Sequence, residues 1–233
     1  MFVSILTPTY NRGQFVTSMV ACYKAQTYPK QDMVWIFLDD GTEKIEKAFR
    51  NETKDLPNIR YIALDEKLTI GAKRNRLHQE AKGEILISWD DDDYYCPERV
   101  AHVVKKMTAQ PTIQLAGSSE LYLYFKSLKK IYRIGPYHDK HATNGTMAVR
   151  AAYAKSHQYD ETVLYAEEKS FLEDYKHPII QLDPFKVMLV ICHNENTFNK
   201  DRLIEEQNPH CRETQMKVKD FIKSKELRDF FLD

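Results

Sequence analysis

Short apolar runs and helical repeats alternate along the first half of the chain. Segments with apolar residues at helical spacing, or with a polar helix-forming composition, cover residues 15–23, 43–54 and 72–82, and a further helix is expected from Pro97 to Ala109. Regular alternation of strand and helix predicts an open α/β sheet with parallel pairing. The apolar runs, each of the length of a buried strand, are Phe2–Leu6, Met33–Leu38, Ile59–Leu64 and Glu84–Trp89.

The second half predicts shorter strands, a hairpin and a helical tail. A short helix is expected near residues 168–175. Beyond Arg212, phenylalanines and aliphatic residues lie among charges of both signs, which favours an amphipathic helix packed on the body; a membrane-surface helix is the alternative. The predicted strands are Ile113–Ser118, Glu120–Phe125, Lys129–Ile134, Thr146–Arg150, Ile179–Leu182 and Lys186–Cys192.

Length and charge narrow the class of protein. The 233 residues include 34 Lys+Arg and 34 Asp+Glu, so the formal net charge is zero. Since a domain has about 100–200 residues, we expect one domain over residues 1–233. The balanced charge argues against a protein that binds nucleic acid by bulk attraction. No apolar run approaches the roughly 18–20 residues of a membrane span, and the N-terminus lacks the basic region of a signal peptide.

The cysteine pattern gives a further restriction. The four cysteines are scattered and form no C-x-x-C pair, which disfavours a thiolate zinc cluster or a disulfide framework. We therefore expect reduced thiols in a cytoplasmic protein. A catalytic thiol at Cys96, close to an acidic run, is the alternative.

Three polar clusters follow predicted strands, and they are Thr7–Arg12, Asp39–Thr42 and Asp90–Asp93. In open α/β sheets, ligands bind beyond the carboxyl ends of the strands. The three clusters therefore predict a binding site at one edge of the sheet.

The four consecutive aspartates of the third cluster favour a divalent cation. Like charges a few ångströms apart repel, and hard carboxylate oxygens suit Mg²⁺ or Mn²⁺. In an extended segment Asp90 and Asp92 lie on one side and Asp91 and Asp93 on the other, so a metal would use one alternating pair. A solvated acidic turn is the alternative interpretation.

Cations and further carboxylates near this run favour a phosphate ligand. Gly71-Ala-Lys-Arg-Asn-Arg76 combines a glycine and three cations at a predicted helix start, where anions are favoured. Beside a metal, this motif predicts a diphosphate clamp. Asp39-Asp40-Gly41 offers acceptors for a base or a ribose, with an ordinary Asx-turn as the alternative.

Together these motifs resemble the family 2 glycosyltransferases of the GT-A fold, in order and spacing, over about the first 100 residues. That fold has a mixed, mainly parallel central sheet flanked by helices, with a smaller antiparallel element on the acceptor side. The resemblance implies a nucleotide-sugar-binding half (1–100), an acceptor and catalytic half (101–200) and a C-terminal helical tail (201–233). The motifs are Thr7-Pro-Thr-Tyr-Asn-Arg12, Gln26-Thr-Tyr-Pro29, Leu38-Asp-Asp-Gly-Thr42, Gly71-Ala-Lys-Arg-Asn75, Gly83-Glu84 and Trp89-Asp-Asp-Asp-Asp93.

The resemblance implies a nucleotide-sugar donor, usually a UDP-sugar, and inversion at the anomeric carbon. Thr9 and Tyr10 would line the nucleotide pocket, Asp39 would contact uridine, and Arg74 would lie near the base or the diphosphate. The other residues expected to bind the donor are Arg12, Asp40, Lys73 and Asp91.

The same resemblance implies the metal ligands. In the family's D-x-D motif the second acidic residue generally binds the metal, which indicates Asp90-x-Asp92 here; a shift by one residue stays open. Cys192-His-Asn-Glu-Asn-Thr-Phe198 resembles a downstream histidine segment, so His193 is a candidate ligand, with a structural histidine as the alternative.

An acidic pair at a helix start supplies the general base in the family. Tyr165-Ala-Glu-Glu-Lys169 resembles this pair, with Glu168 as the base that removes the acceptor hydroxyl proton and Glu167 as its neighbour. The family more often has Asp at the second position. Asp174 is the competing candidate.

The leading interpretation is a metal-dependent inverting glycosyltransferase that uses Mn²⁺ or Mg²⁺ and a glycan or other hydroxyl acceptor. The alternatives are a nucleotidyltransferase that makes sugar nucleotides and a noncatalytic nucleotide-sugar-binding domain. A nucleotidyltransferase would need a glycine- and basic-rich loop after the first strand, and Thr7–Arg12 is a poor version of one. Sugar and acceptor choice depend on the loops at 135–146 and 157–166.

Overall fold

A computed structural model describes residues 1–163, 166–196 and 200–232 of the chain. Its strands are β1 (Val3–Thr9), β2 (Met33–Asp39), β3 (Ile59–Ala63), β4 (Ile85–Ser88), β5 (Tyr94–Tyr95), β6 (Leu115–Gly117), β7 (Leu121–Phe125), β8 (Lys130–Ile134), β9 (Ala148–Arg150), β10 (Ile179–Gln181), β11 (Met188–Cys192) and β12 (Cys211–Glu213). Its α-helices are α1 (Val16–Lys24), α2 (Glu46–Thr53), α3 (Ile70–Glu80), α4 (Arg99–Ala109), α5 (Ala151–Ser156), α6 (Glu168–Phe171), α7 (Arg202–Glu205), α8 (Val218–Phe221) and α9 (Lys225–Leu232).

The larger sheet is mainly parallel and places the three polar clusters at one edge. Its strand order is β10-β6-β9-β4-β1-β2-β3, and only β9 runs antiparallel to its neighbours. β1 pairs in parallel with both β2 and β4, with Thr9 opposite Asp39 and Leu6 opposite Ser88. The carboxyl ends of these three strands therefore meet, as the sequence predicts.

The central strands of this sheet are buried on both faces, which explains why β1, β2 and β4 coincide with apolar runs. Alternate side chains contribute to different cores: Ile5 and Trp35 belong to one cluster, and Leu6 and Ile36 belong to the other. All seven residues of β1 are buried. A strand in this position cannot show the polar–apolar alternation of a half-exposed strand.

The smaller sheet has the order β12-β8-β7-β11-β5 and is mostly antiparallel. β7 and β8 form the predicted hairpin, while β7 and β11 pair in parallel. The core cluster that contains Trp35 also includes Leu123 and Ile191 of the smaller sheet. The two sheets consequently share one apolar core.

The predicted elements agree with the structure except at short segments. α5, β5 and β12 were not predicted. The pair Tyr94–Tyr95 follows the aspartates directly and gains its pairing from β11, a partner distant in sequence. Helix α6 is shorter than expected and ends at Phe171, where the backbone enters a series of turns.

The C-terminal tail packs on the body, as predicted. Ile222 is fully buried, and the ring of Phe231 meets that of Tyr94 edge-on at 5.9 Å between centroids. Across the described ranges, no helix combines the length and the apolar character that crossing a bilayer would require.

We expect Trp35→Ala to lower the free energy of unfolding by about 3–5 kcal/mol. Trp35 is fully buried, its ring stacks on Tyr23 at 4.5 Å, and its indole N–H donates to Thr7 Oγ1 at 2.9 Å. Urea unfolding monitored by circular dichroism measures the change. Leu128→Ala, at a side chain that is 46% exposed, is the control and should change stability by about 0.5 kcal/mol or less. A loss near 1 kcal/mol for Trp35→Ala would contradict the central place of this ring.

Candidate active site

The four aspartates that follow β4 divide by alternation into a buried pair and a partly exposed pair. Asp91 Oδ2 accepts a hydrogen bond from Thr9 Oγ1 at 2.6 Å, and Asp93 Oδ1 accepts one from the Ile191 backbone N–H at 2.8 Å. Burial, and secondly the charge of Asp92, raises the pKa of both buried carboxyls. These two side chains therefore anchor the strand end to β1 and β11.

Asp92 is partly exposed and lies beside His193. Its Oδ2 lies 3.3 Å from His193 Nε2 and accepts a hydrogen bond from Asn196 Nδ2 at 3.1 Å. Burial alone would raise the pKa of Asp92, but the hydrogen bond with His193 and the positive charges of Lys200, His193 and Arg12 together outweigh burial, and the pKa is lowered. The Arg12 guanidinium lies 3.9 Å away and also binds Glu195. The structure thus joins the aspartate run to the histidine segment.

Asp90 turns toward Arg74 rather than toward His193. Asp90 Oδ1 is 3.1 Å from Arg74 Nη2. On its other side lies Gly145, where an added Cβ would stand 2.9 Å from Asp90 Oδ2. A glycine at position 145 therefore leaves the space that this carboxylate occupies.

Arg74 also connects the aspartate run to the acidic pair. Its Nε donates to Glu167 Oε1 at 2.8 Å, and Asn144 Nδ2 donates to the same oxygen at 3.0 Å. Although burial alone would raise the pKa of Glu167, Arg74 lowers it. Glu167 is 7% exposed, so its charge is compensated almost entirely by protein groups.

Glu168 occupies the first residue of α6, beside Glu167, in a different electrostatic setting. Burial first, and then the Glu167 charge, raises its pKa to about 7. Among the described residues no cation pairs with its carboxylate. Asp174, the competing candidate, is 70% exposed at its side chain and lies 3.5 Å from Lys169 Nζ. Glu168 is thus partly buried and has a raised pKa, whereas Asp174 is exposed and lies beside a lysine.

The turn after β2 is an Asx-turn, and its two carboxylates already have hydrogen-bond or ion-pair partners within the protein. Asp39 is fully buried: its Oδ1 accepts from the Gly41 N–H at 2.8 Å, and its Oδ2 accepts from the Ile45 N–H and the Tyr61 hydroxyl. Asp40 Oδ1 pairs with Lys73 Nζ at 2.7 Å. The predicted contact of Asp39 with uridine stays a prediction.

The start of α3 is more enclosed than the motif Gly71–Arg76 suggests. An added Cβ at Gly71 would lie 2.5 Å from the Asp160 carbonyl oxygen, so this glycine allows close packing of the 160–161 segment. Arg76 pairs with Glu80 on the exposed side of the helix and does not join the predicted clamp. The other two cations of the predicted clamp, Lys73 and Arg74, are buried and paired with carboxylates.

Tyr10 lies at the same strand edge as Thr9 and is partly exposed. The Lys67 ammonium lies 4.0 Å from the centre of its ring, and that of Lys73 lies 5.7 Å from it. Its aromatic face is thus bordered by two cations. Tyr165, Thr197 and Phe198, which belong to two of the quoted motifs, lie outside the described residues.

Three supporting residues were not predicted as site components, and they are Arg99, Tyr159 and Asn196. A fourth, Asn144, lies in the 135–146 loop, on which sugar and acceptor choice were expected to depend. Asn144 Oδ1 accepts from the Tyr159 hydroxyl at 2.9 Å while its amide holds Glu167. The buried Arg99 donates to the carbonyls of Gly145 and Met147. Asn196 belongs to the quoted histidine segment, but nothing in the sequence around Arg99 marks it.

The alternative of a catalytic Cys96 is not supported by its surroundings. The thiol is buried, and burial raises its pKa to about 12. A nucleophilic cysteine needs a lowered pKa.

A divalent cation fits the residues around Asp92. Carboxylate and imidazole donors face each other there, and both side chains keep some exposure, 14% for Asp92 and 12% for His193. A positive ion would also relieve the repulsion that raises the pKa of Asp91 and Asp93. Asp90 is the second carboxylate on this side of the strand, although Arg74 holds it in this structure.

The fold is the GT-A fold found in solved glycosyltransferases. A mannosyltransferase from Pyrobaculum calidifontis, in complex with GDP-Man and Mn²⁺, superposes with a TM-score of 0.67 at 15% identity, covering 84% of this chain and 58% of its own. Staphylococcus aureus TarS (residues 1–349), in complex with UDP-GlcNAc, gives a TM-score of 0.64 at 20% identity, covering 84% and 60%.

The chain belongs to glycosyl transferase family 2, whose family model matches residues 4–158. An uncharacterized glycosyltransferase of Methanocaldococcus jannaschii is 22% identical over 200 residues, covering 77% of this chain and 68% of the relative. The putative colanic acid biosynthesis glycosyl transferase WcaA of Escherichia coli is 32% identical over 100 residues. The chain spans about a third of the length of WcaA and about 60% of the two solved structures.

We expect the stability difference between Glu168→Gln and the unchanged protein to depend on pH. A carboxyl whose pKa is about 7 in the folded chain contributes stability below pH 4.5, and this contribution is lost as the pH rises through 7. The Gln variant does not lose this contribution. Its free energy of unfolding, compared with that of the unchanged protein, should therefore rise between pH 5 and pH 8 by on the order of 1–3 kcal/mol. Urea unfolding at both pH values measures the difference.

Asp174→Asn is the matched control, because it removes an exposed carboxylate from the same segment. Equal pH dependence in both variants would contradict the special environment of Glu168.

Proposed function

We propose that the chain is an inverting, metal-dependent glycosyltransferase that moves a sugar from a nucleoside-diphosphate donor to a hydroxyl group of a glycan or other acceptor. The observation that carries this proposal is the chain of contacts from Asp90 through Arg74 to Glu167, with Glu168 beside it. These contacts bring the aspartate run of the first half of the chain next to the acidic pair of the second half. Family membership supports the same reaction class.

The donor in this proposal binds at the carboxyl ends of β1, β2 and β4. Thr9, Tyr10 and Asp39 would surround the nucleoside, and Asp40, Lys73 and Arg12 would border its phosphates. The P. calidifontis neighbour binds GDP-Man and TarS binds UDP-GlcNAc, so guanine and uracil nucleotides are both donors to test.

Asp92, His193 and Asp90 would hold the divalent ion, Mn²⁺ or Mg²⁺. Bound there, it would supply positive charge against the departing diphosphate. Arg74, and Lys73 after release from Asp40, would supply further positive charge by hydrogen bonding to phosphate oxygens.

Glu168 would act as the general base. Its carboxylate would accept the proton of the acceptor hydroxyl as that oxygen attacks the anomeric carbon from the face opposite the diphosphate. A pKa of about 7 gives both a useful fraction of the ionised form and sufficient basicity at neutral pH. Burial raises that pKa, and the charge of Glu167, which Arg74 and Asn144 stabilise by hydrogen bonds, raises it further.

Asp92→Asn should abolish Mn²⁺-dependent donor binding and sugar transfer. The substitution keeps the size of the side chain and removes the charge beside His193. Isothermal titration of GDP-Man and UDP-GlcNAc with Mn²⁺, followed by product detection by mass spectrometry, measures both effects. Asp229→Asn, a change of the same kind in α9, is the control and should retain both. Full activity of Asp92→Asn in a chelator would reject the metal-dependent mechanism.

Glu168→Gln should lower kcat by about 10²–10⁴-fold and leave donor affinity unchanged, because the amide cannot accept the proton. In the unchanged protein kcat should rise with pH through about 7, as Glu168 ionises. Initial rates between pH 5.5 and 8.5 measure this. If Asp174→Asn collapsed turnover while Glu168→Gln did not, the base would be Asp174. Donor binding without turnover in the unchanged protein, for every donor and acceptor tried, would favour a noncatalytic binding domain.

A further inference from the structure

A second group of potential metal ligands lies outside the candidate active site. His157 follows α5, while Glu173 and His177 lie between α6 and β10. One ligand atom from each of these three residues lies within 4.8 Å of the other two, a combination found at no other place among the described residues. None of the three belongs to the donor, metal or base residues proposed above.

The distances suit tetrahedral coordination. His177 Nε2 lies 3.2 Å from Glu173 Oε2, and His157 Nε2 lies 3.6 Å from Glu173 Oε1. With bonds of about 2.0–2.2 Å to zinc, neighbouring ligand atoms of a tetrahedron stand about 3.3–3.5 Å apart. The three side chains therefore need only small adjustments to share one ion.

The hydrogen bonds of His157 indicate that its Nε2 is unprotonated and has a lone pair available for a metal. Its Nδ1 lies 3.0 Å from the Tyr153 carbonyl oxygen, which can only accept, so Nδ1 carries the proton. The Ser156 hydroxyl, which donates to that same carbonyl, accepts from Nδ1 as well. The imidazole also stacks on the Tyr153 ring, with 3.7 Å between the ring centroids and an angle of 1° between the ring planes. A backbone carbonyl bound to Nδ1 is the support that metal-binding histidines commonly have.

A surface cleft of about 470 Å³ adjoins the two histidines, and Thr112, Gln114 and Ser156 also line it. It gives an ion access to the imidazoles and leaves room for a water molecule as the fourth ligand. Two imidazoles and one carboxylate with an open fourth position form a donor set that zinc uses in proteins.

We propose that His157 Nε2, the Glu173 carboxylate and His177 Nε2 bind a zinc ion. The site does not depend on the proposed function. The cysteine pattern disfavours a thiolate cluster, and this site uses none of the thiols.

The site also brackets the segment that carries Glu167 and Glu168. Its first ligand precedes that pair by ten residues, and its last ligand follows it. Within it, Glu173, Asp174 and Tyr175 all have positive φ angles (48°, 55° and 60°), which is uncommon for residues other than glycine. An ion shared by both ends would close this segment into a loop and favour its folded conformation.

Zinc binding to the full chain without a histidine tag tests the proposal. Competition with a chromophoric chelator measures affinity and stoichiometry, and Co²⁺ in place of zinc should give the visible absorption of a tetrahedral site. One ion should remain bound in Asp92→Asn, which separates this site from the proposed catalytic one. Zinc at 100-fold excess over Kd should raise the Tm by on the order of 5 °C.

Matched variants locate the ion. Glu173→Gln and His177→Ala should each weaken zinc binding by at least tenfold and remove the Tm shift, whereas Glu226→Gln and His210→Ala, both exposed and distant in sequence, should not. The use of Gln at 173 avoids a loss of packing. Absence of zinc binding in the unchanged chain, or equal affinity in Glu173→Gln and Glu226→Gln, would overturn the proposal. Loss of sugar transfer alone would not bear on it.

Discussion

The arrangement of the candidate site depends on one buried cation. Arg74 is held between Asp90 and Glu167, which lie 77 residues apart in sequence and belong to different halves of the chain. A buried guanidinium without these partners would cost several kcal/mol, so the two carboxylates and the cation depend on one another. The Asn75 side chain makes a second link between α3 and the 159–161 segment. Helix α3 is thereby the element on which the two halves are joined.

Much of the fold could be predicted, because the central strands of the larger sheet are buried on both faces. Strands such as β1 and β2 are then continuous apolar runs, and the helices between them keep a clear periodicity. The elements that were missed, α5, β5 and β12, are short and owe their existence to distant partners. β12, for example, pairs only through Cys211–Glu213 with β8, and its residues are partly or fully exposed. Local sequence carries little signal for such pairings.

The residue types of the site were more predictable than their contacts. Burial alternates along Asp90–Asp93 as predicted, although these residues lie in a bent segment between β4 and β5 rather than in a regular strand. The sequence did not indicate that Lys73 and Arg74 would be neutralised by carboxylates, or that Asp39 would be fully buried in an Asx-turn. Those outcomes depend on which side chains meet after the chain has folded. Arg99 is a comparable case. Its Nη2 donates to backbone carbonyls of the 145–147 segment, and because every residue has a backbone carbonyl, the sequence does not mark these partners.

The close contact between Gly145 and Asp90 restricts how this protein can vary. Even a single methyl group at position 145 would meet the carboxylate on one side and Met188 on the other, at 2.9 and 3.3 Å. The carboxylate cannot yield without leaving Arg74, and Met188 lies within the buried strand β11. Substitution at position 145 therefore acts on charge placement rather than on the backbone.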